Sequence, residues 1–322
     1  MSGTAALRNT LDLAPLAERL GYTRYWVAEH HNIPSLASPA PEIMIGQIAA
    51  LTDRIRVGSG GVMLPNHAPL MVAERFKVLE ALFPGRIDLG LGRAPGTDPV
   101  TSYALRRHQG NDDDFLERFQ ELMLLETRAF PEGHPFSRIV SMPADVPLPP
   151  VWLLGSSDYS AELAAAVGLG FSFAHHFASH DAAAAMRAYR ERFRPSQRCE
   201  RPYAILAVAV VAAETDEDAE RLASTIDLNW VRRAQGEYLP LASPEDALAY
   251  PYTPIDRRRI AANRERLFVG KPSSVRERLQ PLIEATRADE LMVTTMIYDH
   301  AARRRSYELL ALEFGLQNPA PQ

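Results

Sequence analysis

Apolar residues recur along this chain in two alternating rhythms, first three or four residues apart and then nearly unbroken, which predicts helices and buried strands in turn. Leu7, Leu11, Leu13, Leu16, Ala17 and Leu20 share one helical face, and Gly21 stops that helix. Residues 24–31 (RYWVAEHH) start aromatic and β-branched, hence as a strand, and end in charged and imidazole groups. Prolines at 39 and 41 open a helix that runs to residue 52. A strand at 55–64 (IRVGSGGVML), a helix at 68–82 and a short strand at 87–92 follow. A helix over 112–130 places Asp112, Asp113 and Asp114 where the helix dipole favours carboxylates.

After a proline-rich excursion at 131–150 the alternation resumes. Strands are predicted at 151–155, 171–177 and 204–213, with helices at 157–167 and 181–193 between them. A helix at 216–231 leads into a loop at 236–256, rich in proline and tyrosine, and such a long irregular segment often forms a lid. A helix at 272–285, a strand at 290–298 and a helix at 301–314 close the pattern. The strands are almost wholly apolar, as in a parallel sheet covered on both faces. Seven strands, each joined to the next by a helix, fit either an open doubly wound sheet or an eight-strand barrel that needs one strand more.

Composition changes this picture little. The 322 residues are 46% hydrophobic and 23% charged, ordinary for a globular enzyme-sized chain, and length does not decide between one domain and two. A net charge of −5 gives no footprint for nucleic acid or an anionic membrane, and Arg257–Arg259 and Arg303–Arg305 sit in mixed-charge helical surroundings that read as solvated faces. A single cysteine, Cys199, excludes an internal disulfide and points to a reducing compartment. The first residues have neither a basic segment nor an apolar run, and no stretch approaches the ~20 apolar residues of a membrane span, so the expectation is a cytoplasmic protein.

Three segments carry a family likeness: Glu29-His30-His31, residues 58–67 (GSGGVMLPNH) and residues 85–96 (GRIDLGLGRAPG). With residues 154–157 (LGSS), Ser160 and residues 268–279 (FVGKPSSVRERL), they resemble the bacterial luciferase-like flavin-dependent monooxygenase family in order and spacing. The resemblance covers nearly the whole chain. It implies a TIM-type (β/α)8 barrel as a single domain over 1–322, with 236–266 as an inserted loop or lid. It also implies that the first strand of the family is missing from this chain, so that an in-frame apolar strand is expected just upstream.

Candidate site residues follow from chemistry and likeness together. His30 and His31 end a strand, where barrel enzymes place reactive groups, although loop hydrogen bonding is the plain alternative. In the family the first histidine of this pair corresponds to an active-site base, which makes His30 the catalytic candidate. Gly58, Gly60 and Gly61 strip side chains from one strand, which suits a bulge or the approach of a flat ring. The resemblance sets Gly61, Val62 and Met63 against the flavin ring, in a region where the family often carries a cis peptide. Arg93 can grip a phosphate with two hydrogen bonds or form a surface ion pair, and the family's corresponding arginine contacts the FMN phosphate. Gly155, Ser156, Ser157 and Ser160 bring hydroxyls and free N–H groups to a helix N-terminus, which is either a phosphate cradle or ordinary capping.

His175 and His176 end another strand and are expected to line the pocket with His31, while a metal is not expected because no motif with metal-ligand spacing accompanies them. The resemblance implies reduced FMN and O2 acting on a small organic substrate, with the deazaflavin F420 as the alternative cofactor and a non-catalytic flavin-binding protein as the rival class. A separate NAD(P)H-dependent flavin reductase and a homodimer built on the apolar helices near 39–52 and 67–82 are the expected partners.

Overall fold

The computed structural model describes residues 1–106 and 114–316. Helix α1 (Gly3–Arg19) opens the chain, capped by Ser2, whose hydroxyl accepts from Ala5 N–H. Contacts divide the chain into a smaller unit, residues 23–32 and 38–154, and a larger one of residues 1–22, 33–37 and 155–322.

The smaller unit carries the parallel strands β1 (Arg24–Val27), β2 (Arg56–Ser59), β3 (Val62–Met63), β4 (Ile87–Gly92) and the first four residues of β5 (Val151–Gly155). Tyr25 lies opposite Val57, Val57 opposite Ile87, and Leu89 opposite Val151, so the order is β1-β2-β4-β5; β3 pairs with the end of β4. Helices α2 (Pro41–Ala50) and α3 (Pro69–Leu82) each begin on proline, whose missing N–H costs nothing there. They bury Ile45, Ile48, Val72, Ala73, Phe76 and Leu79; full burial of a side chain such as Phe76 contributes roughly 1.5–3 kcal/mol. Helices α4 (Pro99–Arg106) and α5 (Phe115–Thr127) complete the unit.

One charge is buried at the N-terminal ends of these strands. Asp88 of β4 is fully enclosed, 2.9 Å from Arg24 Nη1 and 2.6 Å from Arg56 Nη2, and it accepts from Trp26 Nε1 at 3.1 Å and Trp152 Nε1 at 3.4 Å. Arg24 also stacks over both indole rings. A fully desolvated carboxylate is tolerable only because its lone pairs are answered in this way.

In the larger unit α6 (Asp158–Val167), β6 (Gly170–Ala174), α7 (Ala182–Arg192), β7 (Ala204–Ala212) and α8 (Asp216–Ala234) follow in sequence. Then come α9 (Pro244–Ala249), α10 (Pro254–Arg264), β8 (Leu267–Gly270), α11 (Pro272–Thr286), β9 (Glu290–Thr294) and α12 (His300–Glu313). β7 is the hub: β6 pairs along Ala204–Ala207, β9 along Ile205–Ala209 and β8 along Ala209–Ala212, all parallel. Leu222, Ala223 and Ile226 of α8 pack on Val211, Leu267, Val269 and Ile297, which covers that part of the sheet with an apolar helix face.

Several sequence expectations need correction. The strands predicted at 24–31, 171–177 and 290–298 stop at Val27, Ala174 and Thr294. The residues beyond turn into loops whose polar groups need partners other than a ladder. The 55–64 strand breaks into β2 and β3 around a cis Gly60–Gly61 peptide. The predicted loop at 236–256 contains α9 and the start of α10, because Ser243 and Thr253 cap them and Pro244 and Pro254 occupy their first positions. These helices lie on α8: Arg264 pairs with Asp227 at 2.8 Å, and Arg221 with Glu245 at 3.2 Å. Strand β8 and helix α4 were not anticipated at all. Asp112 and Asp113 lie outside the described residues, and α5 begins at Phe115.

Candidate functional site

In the smaller unit the chain leaves β1 through Glu29, His30 and His31; the Glu29 and His30 side chains are tied to loops that follow neighbouring strands, and the His31 ring bonds Glu29. Glu29 is fully buried. Its Oε2 accepts from Met63 N–H at 2.8 Å and lies 2.9 Å from His67 Nε2. Its Oε1 lies 2.8 Å from His31 Nε2 and 3.0 Å from His67 Nε2, and accepts from Asn66 Nδ2 at 3.2 Å. Burial alone would raise the Glu29 pKa; the hydrogen bonds and charge of His67, with His31 and the Met63 N–H, outweigh it and hold the carboxyl below its ordinary range.

His30 is held differently. Its Nδ1 is 3.3 Å from the Gly96 carbonyl, and His31 N–H donates to the same oxygen at 3.3 Å. A carbonyl only accepts, so this bond places the proton on Nδ1 and makes Nε2 the basic nitrogen of the neutral ring. Gly96 has φ +67, and a Cβ there would press on the Glu29 carbonyl at 2.9 Å and on Met63 Cγ at 3.1 Å. His30, His31 and Met63 are therefore gathered around the same turn, with Val62 buried beside them.

The glycines of this region face the protein's own atoms. A Cβ on Gly58 would meet Asp88 at 2.5 Å and Trp26 Nε1 at 2.9 Å, and one on Gly61 would meet the Gly90 carbonyl at 2.8 Å. Ser59 Oγ donates to Gly90 O and accepts from Gly90 N–H, so a side chain stands in for ladder bonds where β2 meets β4. Close strand approach accounts for these glycines in the structure. Arg93 lies exposed just past the end of β4.

In the larger unit Gly155, Ser156, Ser157 and Ser160 lie together where β5 meets α6. Ser157 is the N-cap residue of this ten-residue helix, yet its hydroxyl makes no capping bond. Ser160 is buried against Gly155, and a Cβ at Gly155 would overlap the Ser160 hydroxyl. The first-turn N–H groups have no intrahelical acceptor, so the turn offers donors and a positive dipole end to an anion. The donor set fits a phosphate group, with exposed Asp158 as the negative charge in the turn.

His175 and His176 form a 3-10 turn after β6. Burial and the nearby Arg266 charge lower the His175 pKa, its Nδ1 is buried without a hydrogen-bond partner, and its ring lies 6.2 Å from that of Phe268. His176 Nδ1 reaches the Ala207 carbonyl at 3.3 Å. Among the described residues no group of three or more His, Cys, Asp or Glu is arranged to hold a metal ion, and no helix is long and apolar enough to cross a membrane.

Sequence reasoning passed over Glu29, Asn66, His67 and Gly96. Asn66 and His67 belong to the 58–67 segment that carried the family likeness, and Glu29 stands directly before the histidine pair. A carboxylate at the end of an apolar strand was the available signal.

The model of the luciferase-like monooxygenase family matches residues 1–290, and the chain belongs to that family. It is 44% identical over 309 residues to a luciferase-like monooxygenase of Escherichia coli strain K12, covering 96% of this chain and 91% of that protein. An N-acetyl-S-alkylcysteine monooxygenase of Bacillus subtilis is 35% identical over 308 residues, covering 95% and 91%. The crystal structure of apo-MsnO8 superposes with a TM-score of 0.87 at 40% identity, covering 98% of this chain and 95% of that one. A type II Baeyer–Villiger monooxygenase component from Pseudomonas putida, solved with FMN, has a TM-score of 0.70 at 22% identity over 97% and 93%, a likeness of fold alone. The fold is thus the TIM-type barrel of the luciferase-like monooxygenases.

Proposed function

We propose that this protein is an FMN-dependent monooxygenase that uses reduced FMN and O2 to oxygenate a small organic substrate. The observation that carries this is the uncapped, serine-rich first turn of α6, a donor set suited to a phosphate, in a chain of the luciferase-like monooxygenase family. In this proposal Gly155, Ser156, Ser157 and Ser160 of the larger unit hold the phosphate, while in the smaller unit Arg93 is a proposed cofactor ligand and Gly61, Val62 and Met63 are proposed flavin contacts. Reduced FMN, when bound, supplies the activation of O2.

His30 is the proposed base. With its Nδ1–H bonded to Gly96, the neutral ring has Nε2 as the basic nitrogen, the atom proposed to take or return a proton during substrate oxidation. His31 in the smaller unit, and His175 and His176 in the larger, are each proposed as pocket-lining residues of their own unit, and burial and the nearby Arg266 charge favour a neutral His175 ring. A separate flavin reductase is the proposed source of reduced FMN, as a structurally similar Pseudomonas putida protein is the oxygenating constituent of its monooxygenase. Exposed Ile43, Leu51, Met71, Val78 and Leu82 on or beside α2 and α3 support a homodimer, which sedimentation equilibrium would test.

Separate titrations of the purified protein with FMN and with F420 test the cofactor. Saturable FMN binding without F420 binding is expected. Tight F420 binding with none for FMN would replace oxygenation by hydride transfer, and FMN binding with no substrate-dependent oxygen uptake over a broad panel would favour a non-catalytic flavin protein.

A further inference from the structure

We propose that Glu29 is a positioning residue that fixes the tautomers of His31 and His67, so that each ring carries its proton on Nε2 and presents a bare Nδ1. An ionised carboxylate can only accept hydrogen bonds. Glu29 lies 2.8 Å from His31 Nε2 and within 3.0 Å of His67 Nε2 through both oxygens. Met63 N–H and Asn66 Nδ2 add two further donors. Four donors on two oxygens match the ~four lone-pair sites of a carboxylate. The opposite tautomer of either ring would set a nitrogen lone pair against a carboxylate lone pair, in a place where Glu29 has no water to turn to.

His30, the next residue, is fixed the other way by the Gly96 carbonyl. In their neutral forms the two adjacent imidazoles therefore carry their protons on opposite nitrogens, Nδ1 on His30 and Nε2 on His31. One carboxylate thereby sets the tautomer of a ring 38 positions away in sequence and joins it to the Met63 N–H and Asn66 amide. Asn66 continues the network: its Nδ2 also donates to Pro95 O, and its Oδ1 accepts from Arg106 Nε at 3.1 Å. The use of this pattern at a flavin site rests on the function proposed above, whereas the tautomers themselves do not.

The experiment uses the full chain carrying 15N-imidazole histidine, without flavin, at a pH high enough to leave the rings neutral. Long-range 1H–15N spectra report which ring nitrogen holds the proton, and His31→Gln and His67→Gln assign the two signals. Both rings are expected as Nε2–H forms; an Nδ1–H form for either overturns the proposal. In Glu29→Gln the single amide oxygen accepts and the amide nitrogen donates, so at least one ring is expected to shift to the Nδ1–H form. Glu29→Asp, which keeps the carboxylate, is expected to retain the wild-type forms. Unchanged tautomers in folded Glu29→Gln would refute the role, and if that variant does not fold, the wild-type spectrum decides. Because no flavin is present, failure of the FMN titration and failure of this proposal are seen separately.

Discussion

Replacing Asp88 by asparagine removes one negative charge from a fully enclosed position and leaves its shape almost unchanged. Arg24 and Arg56 keep their charges, with side chains 7% and 27% exposed. Two indole N–H groups also lose a charged acceptor, and the new amide nitrogen is a donor aimed at donors. Removing one member of a buried pair typically costs about 3–5 kcal/mol. Arg56 can relax toward water, so the lower end applies, about 3 kcal/mol. An unfolding entropy of about 2.1 cal/mol/K per residue gives ~0.7 kcal/mol per degree for this chain, and hence a fall in Tm of about 4–5 °C. Differential scanning calorimetry reads this directly. Adding Arg24→Met should return part of the loss, since the second change removes an uncompensated cation. A fall below ~1 °C in the single variant, or a strictly additive double variant, would refute the view that Asp88 is a desolvated counter-charge.

Other outcomes follow from the site. Glu29 has a folded pKa below its ordinary value of about 4.3, so its stabilisation is complete above that pH and is lost as pH falls through the lowered value. The difference in urea midpoint between wild type and Glu29→Gln should therefore shrink below about pH 4, and a constant difference would contradict this. Gly155→Ala drives a methyl into Ser160 and should cost about 1–3 kcal/mol while displacing the first turn of α6, seen as lower Tm together with weaker FMN binding. His30→Ala should keep FMN affinity and lose substrate-dependent oxygen uptake by roughly 10²–10⁴-fold, and unchanged uptake would remove it as the base.

The strand–helix alternation was legible because buried parallel strands must be apolar on both faces, as the buried run of β7 is. Their ends were not legible. Ala28, Glu29 and His30 continue a strand-like pattern in sequence, yet Ala28 O accepts from Ser38, and the Glu29 and His30 side chains bond to loops at residues 63–67 and 96, which periodicity cannot see. Helices α9 and α10 were hidden by their tyrosines and prolines, although Ser243-Pro244-Glu245-Asp246 and Thr253-Pro254-Ile255-Asp256 are capping patterns that mark helix starts. Asp88 is a lone charge inside an otherwise apolar strand, and its counter-charges come from Arg56, which opens the neighbouring β2, and Arg24, which opens β1 one strand further on. The glycines at 58, 60 and 61 suited either a bulge or an approaching ring, and in the structure a side chain at any of them would also press on neighbouring protein atoms. His30, His31 and Met63 were each candidates, and the structure gathers them around one turn, but the carboxylate that joins His31 to Met63 had no periodic signal of its own.

The claim that most needs testing is that a phosphate is what this protein holds. Fluorescence titration with FMN and with riboflavin, which lacks the phosphate, isolates that group in wild type and in Arg93→Ala. One charge-assisted hydrogen bond contributes about 1.5–3 kcal/mol, so FMN should bind at least ~10-fold more tightly than riboflavin, and Arg93→Ala should reduce that preference. Equal affinity for the two flavins in the wild type would contradict the account.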